Sequence, residues 1–173
     1  ARVLDLGTGS GAIAISLACE RADLYVVATD RSPEALAVAR RNAQRLAGQA
    51  LAGARLLWRA GSWWDALDAQ DRFDLVASNP PYIGAGDPHL AQGDLRYEPQ
   101  QALVAGGGGL DALREIVAGA PRHLRPAGWL LLEHGCDQDG ALRALLAGAG
   151  FESIQTLRDV SGLPRVTLGR MPE

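Results

Sequence analysis

Val3-Leu4-Asp5-Leu6-Gly7-Thr8-Gly9-Ser10-Gly11-Ala12-Ile13-Ala14 reads as the end of an apolar strand, a glycine turn and the opening of a helix. The strand runs from Arg2 to Leu6, and the helix, from Ala12 to Ala18, reads as buried. Glycines at alternate positions let the backbone take positive φ and come close to a ligand. A strand, a glycine-rich turn and a helix N-terminus together form a cradle of the nucleotide-binding type. The fold follows from repeating this unit along the chain.

A second strand, Leu24 to Thr29, ends at Asp30, and Ser32 caps a helix that opens at Pro33 and continues to about Leu46. An acidic residue at the tip of a second strand is positioned to accept both hydroxyls of a ribose. Residues 48–53 are small and read as a surface loop. Arg55 to Trp58 is a third strand, followed by Gly61-Ser62-Trp63-Trp64. A tryptophan here either packs on an adenine face or covers the core; Trp64 reads as the cover and Trp58 as core. Phe73 to Ala77 is a fourth strand, and Trp129 to His134 a fifth. Helices are expected from Leu110 to about Arg122 and from Ala141 to Ala149, and a closing strand pair over 154–157 and 166–168. Alternating strands and helices of these lengths predict an α/β fold. The expected form is a doubly wound, Rossmann-like sheet with right-handed crossovers.

The fourth strand runs into Ser78-Asn79-Pro80-Pro81-Tyr82. Each proline fixes φ near −65° and removes an N–H, and residues before proline are driven out of the α region. Asn79 and Pro80 are therefore held extended at a strand end, with an amide and carbonyls facing outward. That cluster suits gripping a planar –NH2 group and presenting its nitrogen to an electrophile. The glycine turn, Asp30, the Trp63 loop and Asn79 are expected to line one crevice. Residues 83–109 are polar and glycine-rich and read as one long functional loop that orders on substrate binding.

A chain of 173 residues, 47% hydrophobic and 21% charged, suits one soluble domain with a full core. No transmembrane run and no signal peptide are visible. Net charge is −3, and no dense basic face marks a duplex-DNA binder. The cluster Arg40, Arg41 and Arg45 reads as a solvated helix face. Lysine is absent, which removes the G-x-x-x-x-G-K-[ST] phosphate loop. Cys19 and Cys136 lack metal or disulfide spacing and read as small buried residues of a reducing cytosol. His89, His123 and His134 lack the spacing of a zinc site, so no metal is expected. Gly7-x-Gly9-x-x-Ala12 also fits the loose dinucleotide fingerprint, which keeps an NAD-binding domain as an alternative.

Together, the glycine turn, Asp30 and Asn79-Pro80-Pro81-Tyr82 resemble a class I S-adenosylmethionine-dependent methyltransferase with an NPPY motif. Ile83, Asp87-Pro88-His89-Leu90, Gly93 to Pro99, Leu131-Leu132-Glu133-His134-Gly135 and Arg165-Val166-Thr167-Leu168-Gly169 narrow the resemblance to the HemK family of glutamine methyltransferases. The resemblance covers essentially the whole chain. It implies a seven-stranded, mostly parallel sheet with an antiparallel C-terminal strand, and a cytoplasmic enzyme. It implies S-adenosyl-L-methionine as methyl donor and, as substrate, the Gln of the Gly-Gly-Gln motif in class-1 peptide chain release factors. Contacts to the donor are implied for Gly7, Thr8, Gly9, Ser10, Gly11, Asp30, Trp63 and Asn79. Asn79, Pro80, Pro81 and Tyr82 would hold the glutamine. Neither membrane nor direct nucleic-acid contact is expected. Residues 1–173 are then expected to form the catalytic domain, without the family's N-terminal helical docking domain. Just before Trp63, where family members often carry an acidic residue, this chain has Ser62.

An amide nitrogen is a weak nucleophile because its lone pair is delocalised into the carbonyl. Acceptors aimed at its two hydrogens stabilise the charge that develops on it. The Asn79 side-chain carbonyl and the Pro80 backbone carbonyl are the expected acceptors. Pro81 holds the turn and Tyr82 packs on the amide plane. No general base accompanies them, so the proton is expected to leave to water. The rival readings are a glutamine methyltransferase of a ribosomal protein, an adenine-N6 methyltransferase of DNA or RNA, and a non-catalytic donor-binding module.

Overall fold

The computed structural model describes residues 1–46, 55–84, 104–105 and 109–173. Seven strands form the main sheet: β1 (Arg2–Leu6), β2 (Tyr25–Asp30), β3 (Arg55–Ala60), β4 (Phe73–Ser78), β7 (Leu124–Glu133), β8 (Glu152–Arg158) and β9 (Pro164–Arg170). Their order is β3-β2-β1-β4-β7-β9-β8. The first five are parallel, and β9 runs antiparallel to both β7 and β8. This is the mostly parallel sheet with an antiparallel C-terminal strand that the resemblance implied. Helices α1 (Ala12–Glu20), α2 (Pro33–Leu46), α3 (Asp111–Gly119) and α4 (Asp139–Gly148) cover its faces.

Strand alternation explains the two-sided core. Leu4, Leu6, Val27, Phe73 and Val76 join Leu113, Ile116, Leu142 and Leu146 of α3 and α4 in one cluster. Val3, Val26 and Ala28, the intervening residues, join Ala14 and Ala18 of α1 in a second. Each fully buried Leu or Ile contributes roughly 1.5–3 kcal/mol relative to exposure. Along α2 the buried positions are Leu36, Ala39 and Ala43, one face at helical spacing, while Arg40, Arg41 and Arg45 are exposed. Ser32 caps α2 as its position before Pro33 predicts: its Oγ accepts from Ala35 N at 3.1 Å.

Several expectations need correction. The α1 helix is not buried all round; Ala12, Ser16 and Glu20 form an exposed stripe four residues apart. The fifth strand begins at Leu124, because Phe73 pairs with Leu124 across an irregularity that Pro126 and Gly128 disguise in the sequence. Cys19 is only half-buried and Cys136 is exposed, at the turn between β7 and α4. Residues 83–109 are not one structureless loop. Ile83–Gly84 (β5) pairs in parallel with Val104–Ala105 (β6) as a separate two-stranded sheet. Residues 48–53, the 87–99 motifs with His89, and the ordering expected of 83–109 on binding lie wholly or largely outside the described residues.

Candidate active site

Parallel register gathers the sequence-predicted residues. Leu6 pairs with Thr29, Asp30 with Ala60, and Asp5 with Ala77. The segments Gly7–Gly11, Asp30, Gly61–Trp64 and Asn79–Tyr82 therefore leave the C-terminal ends of four adjacent strands. Chain order reverses between β1 and β4, so the glycine turn and Asn79 flank the switch point where open α/β sheets bind ligands.

Local hydrogen bonds shape the glycine turn. Gly7 N and Thr8 N both donate to Thr29 O, at 2.9 and 2.8 Å. Gly9 N donates to Asp30 Oδ2 at 2.8 Å, and Ser32 N to Asp30 Oδ1 at 2.8 Å. Both oxygens of Asp30 thus accept one backbone N–H each and retain further lone pairs. Gly9 has φ +56°, and a Cβ added there would meet nothing within 4 Å, so the turn is open on that side. Gly11 has φ +86°, and its Cβ would sit 2.9 Å from Ile15 Cδ1 and 3.0 Å from Ala39 Cβ. Only glycine permits that approach of α1 to α2. The Trp63 ring packs over Gly7 and against the main core cluster. Trp64 lies over the core too, stacked on His123 with ring centroids 5.1 Å apart. Ser62 is exposed.

Beneath the turn lies Asp5, a residue of the motif to which the sequence assigned no role in the site. Asp5 is 1% exposed. Its Oδ2 accepts from Thr8 Oγ1 at 2.5 Å and from Ala14 N at 3.0 Å, which ties strand, turn and helix together. Its Oδ1 is buried without a hydrogen-bond partner. Burial raises the carboxyl pKa from 3.8 to about 6, against the Thr8 and Ala14 hydrogen bonds that lower it, with a small further push from Asp30. From about pH 4 to pH 6 the folded chain therefore binds more protons at Asp5 than the unfolded chain. Stability from this group is greatest below pH 4 and falls as pH rises through about 6, by roughly 3 kcal/mol. Asp5→Asn removes that slope. Its unfolding free energy relative to the parent should shift in the variant's favour by roughly 2–3 kcal/mol between pH 4 and pH 7. Denaturant titrations across that range measure it; parallel curves would show that Asp5 does not titrate there. The signal available in the sequence was a carboxylate inside an apolar strand, two residues ahead of the turn.

Asn79 is exposed at the end of β4, Pro80 is buried, and Pro81 and Tyr82 are half-buried. Ser78 Oγ donates to Leu6 O at 2.5 Å and fastens this end of β4 to β1. The Tyr82 hydroxyl donates to Glu133 Oε1 at 3.3 Å. Burial first, then the Glu133 carboxylate, raises its pKa above 10.0, so it stays protonated at neutral pH. Tyr82 O accepts from Gln138 Nε2 at 3.1 Å. Glu133 and Gln138 follow the same C-terminal-edge rule, applied one strand further along, at the end of β7. Among the described residues no helix is long and apolar enough to cross a membrane, and no group of three or more His, Cys, Asp or Glu side chains is placed to hold a metal ion.

A family model described as methyltransferase small domain matches residues 1–109. The release factor glutamine methyltransferase of Xylella fastidiosa is 56% identical over 171 residues, covering 99% of this chain and 60% of that protein. The protein of the same description from Pseudomonas aeruginosa is 55% identical over 170 residues, covering 98% and 59%. The chain thus spans about three fifths of the length of these curated relatives. Among solved structures, the T. thermophilus 16S rRNA N2 G1207 methyltransferase, in complex with AdoMet and guanosine, matches with a TM-score of 0.69 at 23% identity. That match covers 98% of this chain and 37% of the other, and it supports the fold.

Proposed function

This chain belongs to the methyltransferase small domain family, and on that premise we propose that it transfers a methyl group from S-adenosyl-L-methionine to the side-chain amide nitrogen of a glutamine, the Gln of the Gly-Gly-Gln motif in class-1 peptide chain release factors. The observation that carries the reading is the adjacency of the glycine turn and Asn79-Pro80-Pro81-Tyr82 at the sheet's switch point. The relatives' description as release factor glutamine methyltransferases, at more than half identity, supports this substrate. The enzyme would act in the cytoplasm on a protein, without contacting membrane or nucleic acid directly.

The residues fit the donor. A turn with positive φ at Gly9 and open space beside it lies against a carboxylate at the tip of β2. Gly7, Thr8, Gly9, Ser10 and Gly11 would take its amino-acid end, Asp30 its ribose hydroxyls and Trp63 its base, with Asn79 at the reacting end. When bound, the donor supplies an electrophilic methyl on a sulfonium. The chain's own residues do the rest. The Asn79 side-chain carbonyl and the Pro80 carbonyl accept the two N–H bonds of the glutamine amide. They orient the nitrogen and stabilise its developing positive charge. Pro81 fixes the turn, and the Tyr82 ring covers the amide plane. Tyr82 is protonated and Asn79-Pro80-Pro81-Tyr82 itself supplies no general base, so the released proton goes to water. Alignment of this kind is worth roughly 7 kcal/mol or more of the barrier.

Label transfer from S-adenosylmethionine tests the proposal. The chain is offered a release factor, the same factor with its loop Gln changed to Glu, a ribosomal protein mixture and unmethylated DNA. Label on the unmodified factor alone is expected. Label on a ribosomal protein or on DNA would replace the substrate assignment, and binding of NAD in place of the donor would overturn the class.

A further inference from the structure

Gln138, five residues past the end of β7, reaches the candidate site through its side chain. It is 8% exposed. Its backbone is committed: Gln138 N donates to Gly135 O at 2.9 Å, and Gln138 O accepts from Leu142 N at 2.9 Å as α4 begins. Its side chain does not cap that helix. Instead Oε1 accepts from Gly135 N at 2.9 Å and Nε2 donates to Tyr82 O at 3.1 Å. The partners fix the orientation of the amide, since Gly135 offers only a donor and Tyr82 only an acceptor. Gly109 closes the same junction. With φ +82°, a Cβ there would lie 2.1 Å from Tyr82 O and 2.7 Å from Gln138 Nε2.

We propose that Gln138 is a positioning residue for methyl transfer: its amide clamps the Tyr82 carbonyl and so holds Asn79-Pro80-Pro81-Tyr82 in the shape that receives the acceptor amide. The assignment rests on the methyltransferase reading given above. Tyr82 is held through its hydroxyl by Glu133, with the Arg165 side chain also at that hydroxyl, and through its carbonyl by Gln138. Glu133 and Gln138 lie at the end of β7 and the start of α4, and Arg165 on β9, all on the far side of β4 from the glycine turn. The donor cradle and the acceptor turn are therefore supported separately. The chemistry of the clamp requires an amide, with one acceptor and one donor on a buried fork. Asn is one methylene short, and a carboxylate sets a second acceptor against the Tyr82 carbonyl.

The test compares the parent chain with Gln138→Glu and Gln138→Leu. Gln138→Glu is nearly isosteric, keeps the acceptor for Gly135 N and removes the donor to Tyr82. Hydrogen exchange of the Tyr82, Ile83 and Gly84 amides should accelerate at least tenfold in both variants, while exchange over residues 3–15 stays unchanged. Affinity for S-adenosylmethionine, by calorimetry, should stay within about twofold, while kcat/KM for the acceptor falls about 30–100-fold, the scale of a misplaced reacting group. If Gln138→Leu does not fold, Gln138→Glu carries the comparison. Unchanged exchange at 82–84 overturns the proposal, as does faster exchange with kcat/KM intact. Loss of donor affinity in step with turnover would make Gln138 a general structural residue and overturn it equally. A parent chain that methylates nothing would defeat the functional reading; exchange at 82–84 would still decide whether Gln138 holds the turn.

Discussion

On the proposed mechanism, Asn79→Ala should lower methyl transfer by about three orders of magnitude while leaving affinity for S-adenosylmethionine within a few-fold. The asymmetry follows from what the side chain can and cannot touch. Asn79 is exposed at the mouth of the site, beyond the Ser78–Leu6 hydrogen bond that fixes the end of β4. Truncating an exposed side chain outside the core changes stability by about 0.5 kcal/mol or less. The glycine turn and Asp30 keep their own hydrogen bonds to Thr29 and Ser32. What would disappear is one of the two acceptors proposed for a nitrogen that becomes positive only as it reacts. Removing a single preorganised group of this kind slows a reaction roughly 10²–10³-fold. The loose acceptor amide also forfeits alignment. Single-turnover label transfer and calorimetry on the same preparation separate the two effects. A variant turning over at near the parental rate would remove Asn79 from the chemistry.

The second large effect is on binding. Asp30→Ala should weaken donor affinity about 100-fold, with the maximal rate at saturating donor falling much less. A single charge-assisted hydrogen bond from a ribose hydroxyl, worth about 1.5–3 kcal/mol, would account for that scale. The structure adds a cause that ribose contact alone does not supply. Asp30 also accepts from Gly9 N and Ser32 N, so its loss frees the glycine turn as well as the ribose. Asp30→Asn distinguishes the two contributions, because the amide still offers an oxygen to one backbone N–H. Its affinity should fall between those of the parent and of Asp30→Ala. Calorimetric affinities that do not differ among the three would contradict the assignment.

Local physics made the frame of this molecule readable. Gly7, Gly9 and Gly11 announce a turn by their spacing, and Ser32-Pro33 announces a helix start. Asn79-Pro80-Pro81-Tyr82 announces a strand end by its two prolines. Each signal acts within a few residues, and β1 to β4, α1 and α2 lie within a few residues of their expected places. The strand-end rule then brings Asp30, Trp63 and Asn79 to one edge. Long-range contacts escaped that reading. The burial of Asp5 depends on α1 lying over β1, and the bridge from Gln138 to Tyr82 spans 56 residues. The β5–β6 pairing joins residues 21 positions apart through two dipeptides too short to show a period. Cys136 is exposed because a tight turn carries it outward, although its residue type favours burial.

The order of strands in the main sheet also divides the chain's history from its geometry. One contiguous half, β3-β2-β1-β4, comes entirely from residues 2–78, and the other, β7-β9-β8, entirely from residues 124–170. Within the sheet only the β4–β7 seam joins them, while β5 and β6 pair outside it. A polypeptide cut between β5 and β6 is thus two self-paired sheets with one complementary edge each. Co-expressed as separate fragments, they should reassemble along β4 and β7 and recover the site, whose donor cradle belongs to the first piece and whose clamp on Tyr82 belongs to the second.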